Sequence, residues 1–203
     1  LDQLASRFTE YQYDFRKLVR DVCTSRIYQL STQTNPSNED DLRNFARAQL
    51  RRMRAEVLLD VISQVTKTKN KFQGLPLGAR ALQIADGRFS NYFLTTFGRA
   101  TRETVCSCEV VMEPNLSQAL HLLNGDVTNN RITQGRIVQT MLKEGKDPEK
   151  VIDDLYLRCY SRKPRADEKA NLLASLDGED SVESALNDVF WALLNSKEFI
   201  FNH

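Results

Sequence analysis

The positions of the helix-breaking residues divide this 203-residue chain into three parts. Residues 68–114 are interrupted too often for a long helix, at Gly74, Pro76, Gly78, Gly87 and Gly98. On both sides, over 1–67 and 115–203, apolar residues recur at the spacing of amphipathic helices. The pattern predicts a mainly α fold, a single helical bundle-like domain over 1–203 with a Gly-rich irregular insertion.

The first part is predicted to begin with two helices. Residues 1–8 carry one apolar stripe, the period slips at Tyr11–Tyr13, and Asp14 is placed as the N-cap of the second helix. The inner face predicted for the second helix consists of Phe15, Leu18, Val19, Val22 and Cys23. A further helical stretch is expected from about Glu39 to Lys67.

The insertion contains two segments with the alternation of β-strands. They are "ARALQI" (Ala79–Ile84) and "TVCSCEVV" (Thr104–Val111), and they predict a short β-hairpin or a pair of strands. In a strand, Cys106 and Cys108 share one face, and the neighbouring glutamates do not lie among them.

Four or five helices are predicted for the last part. Asp147 and Pro148 are typical of an N-cap followed by the first helical residue, and Ser181 is typical of the cap of the last long helix. The core stripe predicted for the first of these helices consists of Leu116, Ala119, Leu120 and Leu123.

The composition argues against some classes of function. Apolar residues make up 41% and charged residues 27%, as in ordinary globular proteins, and the formal net charge is only +1. A net basic field is absent, so general nucleic-acid binding is not expected. No apolar run is long enough to span a bilayer, and no secretory leader is recognisable. The opening at Leu1, without an initiator Met, predicts a C-terminal fragment of a longer protein.

No complete catalytic motif is present. The sequence lacks a G-x-S-x-G elbow, a phosphate-binding glycine loop and the C-x-x-C-H attachment motif of c-type haem. No spacing among its acidic residues singles out a catalytic pair. The sequence therefore leaves open whether the protein is an enzyme.

The pair Cys106 and Cys108 has three interpretations. Two thiolates favour zinc or copper, but a tetrahedral site needs further ligands, for which the sequence offers Glu103, Glu109 or His121. A disulfide between the two cysteines, or from one of them to Cys23 or Cys159, is the second interpretation. The third interpretation is that both cysteines are free thiols in the core. For the first interpretation, the sequence does not identify the metal.

Two groups of arginines each have two possible interpretations. Arg99 and Arg102, with Glu103, are candidate ligands for a sulfated or carboxylated sugar, and the alternative is an internal Arg–Glu network that fixes the loop. The arginines of "RAQLRRMRAE" are interpreted as a solvated, salt-bridged face or as a groove for an acidic ligand.

Six stretches of the chain occur in an order that resembles a known family. They are "LVRDVCTSRIYQLS", "RRMRAEVLLDVISQVT", "YFLTTFGRATRETVCSCE", "SQALHLLNG", "DLYLRCYSRKPRADE" and "LNDVFWALLNSKEFIFNH". The resemblance covers essentially the whole chain. The family is the C-terminal domain of unknown function in large secreted planctomycete proteins, where it follows a cytochrome-c-like module and another domain of unknown function.

The resemblance implies a mainly helical fold and an exported location in the cell envelope. It also implies upstream domains of the same polypeptide as partners, with haem only in such an upstream module and no cofactor in this chain. Independently of the resemblance, Arg99 and Arg102 make an acidic polysaccharide a possible partner, whereas the net charge and the short apolar runs predict neither nucleic-acid binding nor a membrane span.

These observations predict a non-catalytic helical module of an exported multidomain protein that mediates assembly or ligand contact. The alternative is an enzyme or redox component that acts on polysaccharide or partners the cytochrome-like module. In that alternative, the loop Tyr92–Glu109 forms part of the site.

Overall fold

A computed structural model of the chain describes residues 1–41, 43–85, 87–103, 110–124, 126–176 and 181–202. The described residues form two compact units, here called the first unit (1–51) and the second unit (52–202). Their regular structure is almost entirely helical, which confirms the predicted mainly α fold. In the described part, the only sheet joins two short strands, β1 (Arg51–Arg52) and β2 (Phe201–Asn202).

The bounds of the helices are α1 (Asp2–Glu10), α2 (Phe15–Cys23), α3 (Ala55–Val65), α4 (Tyr92–Thr96), α5 (Leu116–Asn124), α6 (Asp126–Gly135), α7 (Ile137–Lys143), α8 (Pro148–Tyr160), α9 (Ala166–Leu176), α10 (Val182–Leu194) and α11 (Lys197–Ile200). The helices from α5 onward follow one another with short connections, whereas long connections flank α3 and α4.

The predicted break between the first two helices is confirmed. Gln12 and Tyr13 have positive φ angles, and the Asp14 carboxylate then accepts the backbone N–H groups of Arg16 and Lys17. The two helices are held together by Asp21, which accepts a 2.8 Å hydrogen bond from the Tyr11 hydroxyl.

The helix predicted from Glu39 begins only at Ala55, so its first half is wrong. Asp41 explains the difference, because its carboxylate accepts the backbone N–H groups of Arg43, Asn44 and Ala46. These bonds lower the pKa of Asp41. Such local side-chain bonds compete with the helical hydrogen bonds of the backbone.

The inner face predicted for α2 is also not buried. Phe15 is 67% exposed, Val19 42% and Val22 40%. None of the described residues of the first unit is buried, so this unit has no hydrophobic core of its own.

The core of the second unit is built around α10. This helix packs against α6, α7, α8, α9 and α11, and α3 packs against α4. The capping predictions hold here: Pro148 begins α8, and the Ser181 hydroxyl accepts the Ser184 N–H at the start of α10. Fully buried side chains from these helices include Leu58, Ile62, Leu94, Val138, Ile152, Leu155, Leu186, Phe190 and Leu194.

The strand predicted over Ala79–Ile84 is wrong, since Ala81–Gln83 form one turn of 3₁₀-helix. The turn is fixed by Asp60, whose carboxylate accepts the backbone N–H groups of Ala81 and Leu82 at 2.7 and 3.3 Å. No strand occurs among the described residues of the insertion. Most of the second predicted strand, residues 104–109, lies outside the described part.

The core stripe predicted for α5 faces solvent. Leu116, Leu120 and Leu123 are exposed, and Leu122 is buried instead. The buried Gln118 sets this rotation, because its amide donates to the carbonyls of Thr96 and Glu113.

A charged cluster fastens the C-terminal end of the second unit. The Arg162 guanidinium donates to both carboxylate oxygens of Glu168 and of Glu198, at 2.6–2.9 Å. It thereby links the loop after α8 to α9 and α11. These hydrogen bonds from Arg162 lower the pKa of Glu168 from 4.5 to about 2.

Glu168→Gln is expected to flatten the acid limb of the stability profile. Because the folded-state pKa of Glu168 lies below the unfolded value, its contribution is complete above about pH 4.5 and is lost as the pH falls towards about 2. Thermal unfolding between these pH values measures the slope. The control is Asp167→Asn, at the adjacent exposed carboxylate. An unchanged slope in Glu168→Gln would contradict the expectation.

Gly135 allows α6 to lie against the end of α3. A Cβ atom at this position would stand 1.9 Å from the carbonyl oxygen of Thr66. The oxygen belongs to the backbone and cannot turn aside, so the helices would have to separate.

We therefore expect Gly135→Ala to lower the free energy of unfolding by about 3 kcal/mol. Urea unfolding measures the effect as a lower midpoint. The exposed neighbour Gln134 provides the control, since Gln134→Ala changes no close contact. Equal midpoints for the two variants would show that the contact is relaxed in solution.

Candidate functional site

Three charged residues of one short segment organise the insertion. Arg52, Glu56 and Asp60 are spaced four residues apart, and each contacts a different part of 68–114. We call them the charged triplet. Asp60 holds the 3₁₀ turn described above, Glu56 contacts Arg99, and Arg52 contacts the ends of the loop that follows α4.

Arg52 holds Phe97 and Val111 next to each other. Its guanidinium donates to the carbonyl oxygens of Phe97 at 3.0 Å and of Val111 at 2.9 Å, and it lies over the Phe97 ring. Arg52 is 4% exposed, and burial lowers the pKa of its guanidinium. Gly98 lies close to the same junction, where a Cβ atom would stand 2.2 Å from the Val111 carbonyl oxygen.

Arg99 lies inside the protein rather than at its surface. Its guanidinium donates to the carbonyls of Ile84 and Phe89, and its Nε is 3.5 Å from a carboxylate oxygen of Glu56. This is the internal Arg–Glu network of the second interpretation, with Glu56 rather than Glu103 as the carboxylate.

Arg102 and Glu103 are both exposed. Arg102 has a positive φ angle and donates to the Ala85 carbonyl at 3.1 Å, so both arginines contact the segment 84–89. Ligand binding by Arg99, Arg102 and Glu103 stays a prediction.

The cysteine pair, Cys106 and Cys108, lies outside the described residues, and so does Glu109. The three interpretations of this pair stay predictions. Cys23 and Cys159 form no disulfide within the described part of the chain. Burial raises the pKa of the Cys159 thiol to about 12, so this thiol is protonated and poorly nucleophilic at neutral pH. His121 packs against the rings of Tyr92 and Phe93.

A second polar network, which the sequence reasoning missed, lies behind α3. The Arg131 guanidinium of α6 donates to the hydroxyl of Ser63, to that of Thr68 and to the amide oxygen of Asn70. The Asn70 amide donates to Asp60 at 3.3 Å. Burial lowers the pKa of Arg131, and the nearby charge of Asp60 opposes this shift.

Four members of this network, Asp60, Ser63, Thr68 and Asn70, line a cleft of about 490 Å³. Polar lining comes from Asp60, Ser63 and Asn70, and apolar lining comes from Val57, Val61, Leu77 and Leu82. A volume of this size accommodates a small ligand. The sequence feature that could have indicated this cleft is "KTKNKF" (Lys67–Phe72), in which exposed lysines alternate with inward-facing residues.

Neither a metal-binding cluster nor a membrane-spanning helix is found among the described residues. No group of three or more His, Cys, Asp or Glu side chains is placed there to hold a metal ion. None of the described helices combines the length and apolarity required to cross a membrane.

Comparison with models of known protein families shows which family the chain belongs to. The model of PSD1, a protein family of unknown function (DUF1553), matches residues 1–176. The chain belongs to the PSD1 family. The match spans the first unit and most of the second, including the charged triplet and the cleft. It confirms the resemblance to a domain of unknown function. No curated protein and no solved structure matches the chain significantly.

Arg52→Met is expected to destabilise this PSD1 chain by about 3 kcal/mol. The substitution keeps an apolar stem but leaves the buried carbonyl of Phe97 and the partly buried carbonyl of Val111 without their donor. Chemical denaturation measures the loss. Arg54→Met is the control, because Arg54 is exposed. Similar unfolding midpoints for both variants would mean that Arg52 does not fasten the loop.

Proposed function

We propose that this PSD1 chain is a non-catalytic assembly module of an exported multidomain protein. Its first unit presents the apolar face of α2 to another domain of the same polypeptide. The observation that carries the proposal is that the first unit buries none of its described residues, although α2 is strongly amphipathic.

The physical argument rests on helix length and apolar exposure. Helices α1 and α2 have nine residues each, and isolated helices of this length are marginally stable in water. Phe15, Val19 and Val22 are exposed on α2, and burying what remains exposed contributes about 1 kcal/mol per side chain. A partner surface that covers these side chains therefore stabilises both the two helices and its own contact with them.

A partner within the same polypeptide is supported by the family resemblance. In the family that the chain resembles, this domain follows other domains, and a covalently linked partner acts at high effective concentration. Such a partner needs only a modest contact area. The nearly balanced charge of the chain fits an apolar rather than an electrostatic contact.

Hydrogen exchange tests the proposal when residues 1–203 alone are compared with the longer polypeptide. Amides of α1 and α2 are expected to exchange at least about tenfold more slowly in the longer polypeptide. The double variant Phe15→Ser, Val19→Ser is expected to abolish this slowing. Arg16→Ser with Arg20→Ser, on exposed polar positions of the same helix, is expected to retain it.

Two results would overturn the assembly function. One is full protection of both helices in residues 1–203 alone, which would show that no further domain is required. The other is equal slowing in the apolar-face variant and in the arginine control.

A further inference from the structure

Three lysines project from one side of the segment that borders the cleft. Along 67–72, Lys67, Lys69 and Lys71 are exposed, whereas Thr68 is half-buried and Asn70 and Phe72 are buried. We call Lys67, Lys69 and Lys71 the lysine row. The alternation arises because Thr68, Asn70 and Phe72, which alternate with the lysines, contact groups in the interior of the unit.

The inward-facing residues have defined anchors. Arg131 donates to Thr68 at 3.3 Å and to Asn70 at 2.7 Å, and Phe72 packs edge-on against Phe89. Fixed backbone positions limit the directions in which the lysine row can project. The stem of Lys69 also lies near Gly78, where a Cβ atom would be 3.7 Å from it.

The lysine row forms a positive surface together with Arg80, which lines the cleft with Lys69. These four side chains are exposed and form no ion pair with any residue of the described part. Asp60 is the acidic group of the cleft lining, and backbone N–H groups already bind both of its oxygens. The chain carries a net charge of only +1, so this positive charge is local.

We propose that the lysine row and the adjoining cleft bind a carboxylated polysaccharide. The ammonium groups and Arg80 contact the sugar carboxylates. The carboxylate of Asp60 accepts hydrogen bonds from sugar hydroxyls, and the amide of Gln64 accepts them through its oxygen and donates them through its nitrogen. Leu77 and Leu82 provide apolar contact for a ring face. The proposal is independent of the role proposed for the first unit, because all its residues lie in the second.

The lining of the cleft favours a sugar polymer over a single-stranded nucleic acid. Proteins that bind single strands without sequence preference stack the bases on aromatic side chains. Among the described residues, none of those that line this cleft is aromatic. The Asp60 carboxylate and the Gln64 amide in the lining match the hydroxyl groups that a sugar polymer carries in large number.

Binding of polygalacturonate to residues 1–203, measured by titration calorimetry, tests the proposal. We expect binding that weakens as salt rises from about 50 mM to about 300 mM, since exposed ion pairs are screened. The triple variant Lys67→Gln, Lys69→Gln, Lys71→Gln is expected to bind about tenfold more weakly. Its control removes the same charge elsewhere, at the exposed residues Lys143, Lys163 and Lys197.

The comparison ligands are neutral dextran and an oligothymidylate, and thermal unfolding checks that the variants are folded. The proposal is supported when polygalacturonate binds, dextran does not, and only the lysine-row variant loses affinity. It is overturned when the wild-type chain does not bind polygalacturonate or when both triple variants bind equally. Tighter binding of the oligothymidylate would also overturn it, in favour of a nucleic-acid ligand.

Discussion

Arg52 brings a full positive charge into the interior of the second unit, where its partners are backbone carbonyls of Phe97, Val111 and neighbouring residues. Burying a charge is costly, so its hydrogen bonds must be well made. The bonds connect residues up to about 60 positions apart in the chain and hold Phe97 next to Val111. Glu56 and Asp60 extend the same arrangement to Arg99 and to the 3₁₀ turn. The irregular insertion is thus ordered by charged side chains from one short segment.

The two units differ in what stabilises them. The second unit has a continuous apolar core around α10, onto which the polar networks of Arg52, Arg131 and Arg162 are added. The first unit has helix caps and a hydrogen bond between its helices, but none of its described side chains is buried. Hydrophobic burial is the dominant favourable term in folding. This contrast explains why a contact role is proposed for the first unit and a ligand role for the second.

Sequence patterns predicted the helices whose ends are set by local chemistry. Asp14, Pro148 and Ser181 were identified because a cap involves residues at most a few positions apart. The prediction failed where a distant or competing group intervened. Asp41 replaced a predicted helix with turns, Asp60 imposed a 3₁₀ turn on a predicted strand, and Gln118 rotated α5. Each failure involves a polar side chain whose partner the apolar pattern does not reveal.

The sequence by itself determined the mainly α class, the irregular insertion and the resemblance to a domain of unknown function, because periodicity and helix breakers act locally. Only the tertiary structure decided that Arg99 is internal, that Glu56 is its carboxylate, and that Lys69 lines a cleft. Arg131 lies about 60 residues from the groups that it anchors. Contacts of that span depend on how the helices pack, and no local pattern encodes them.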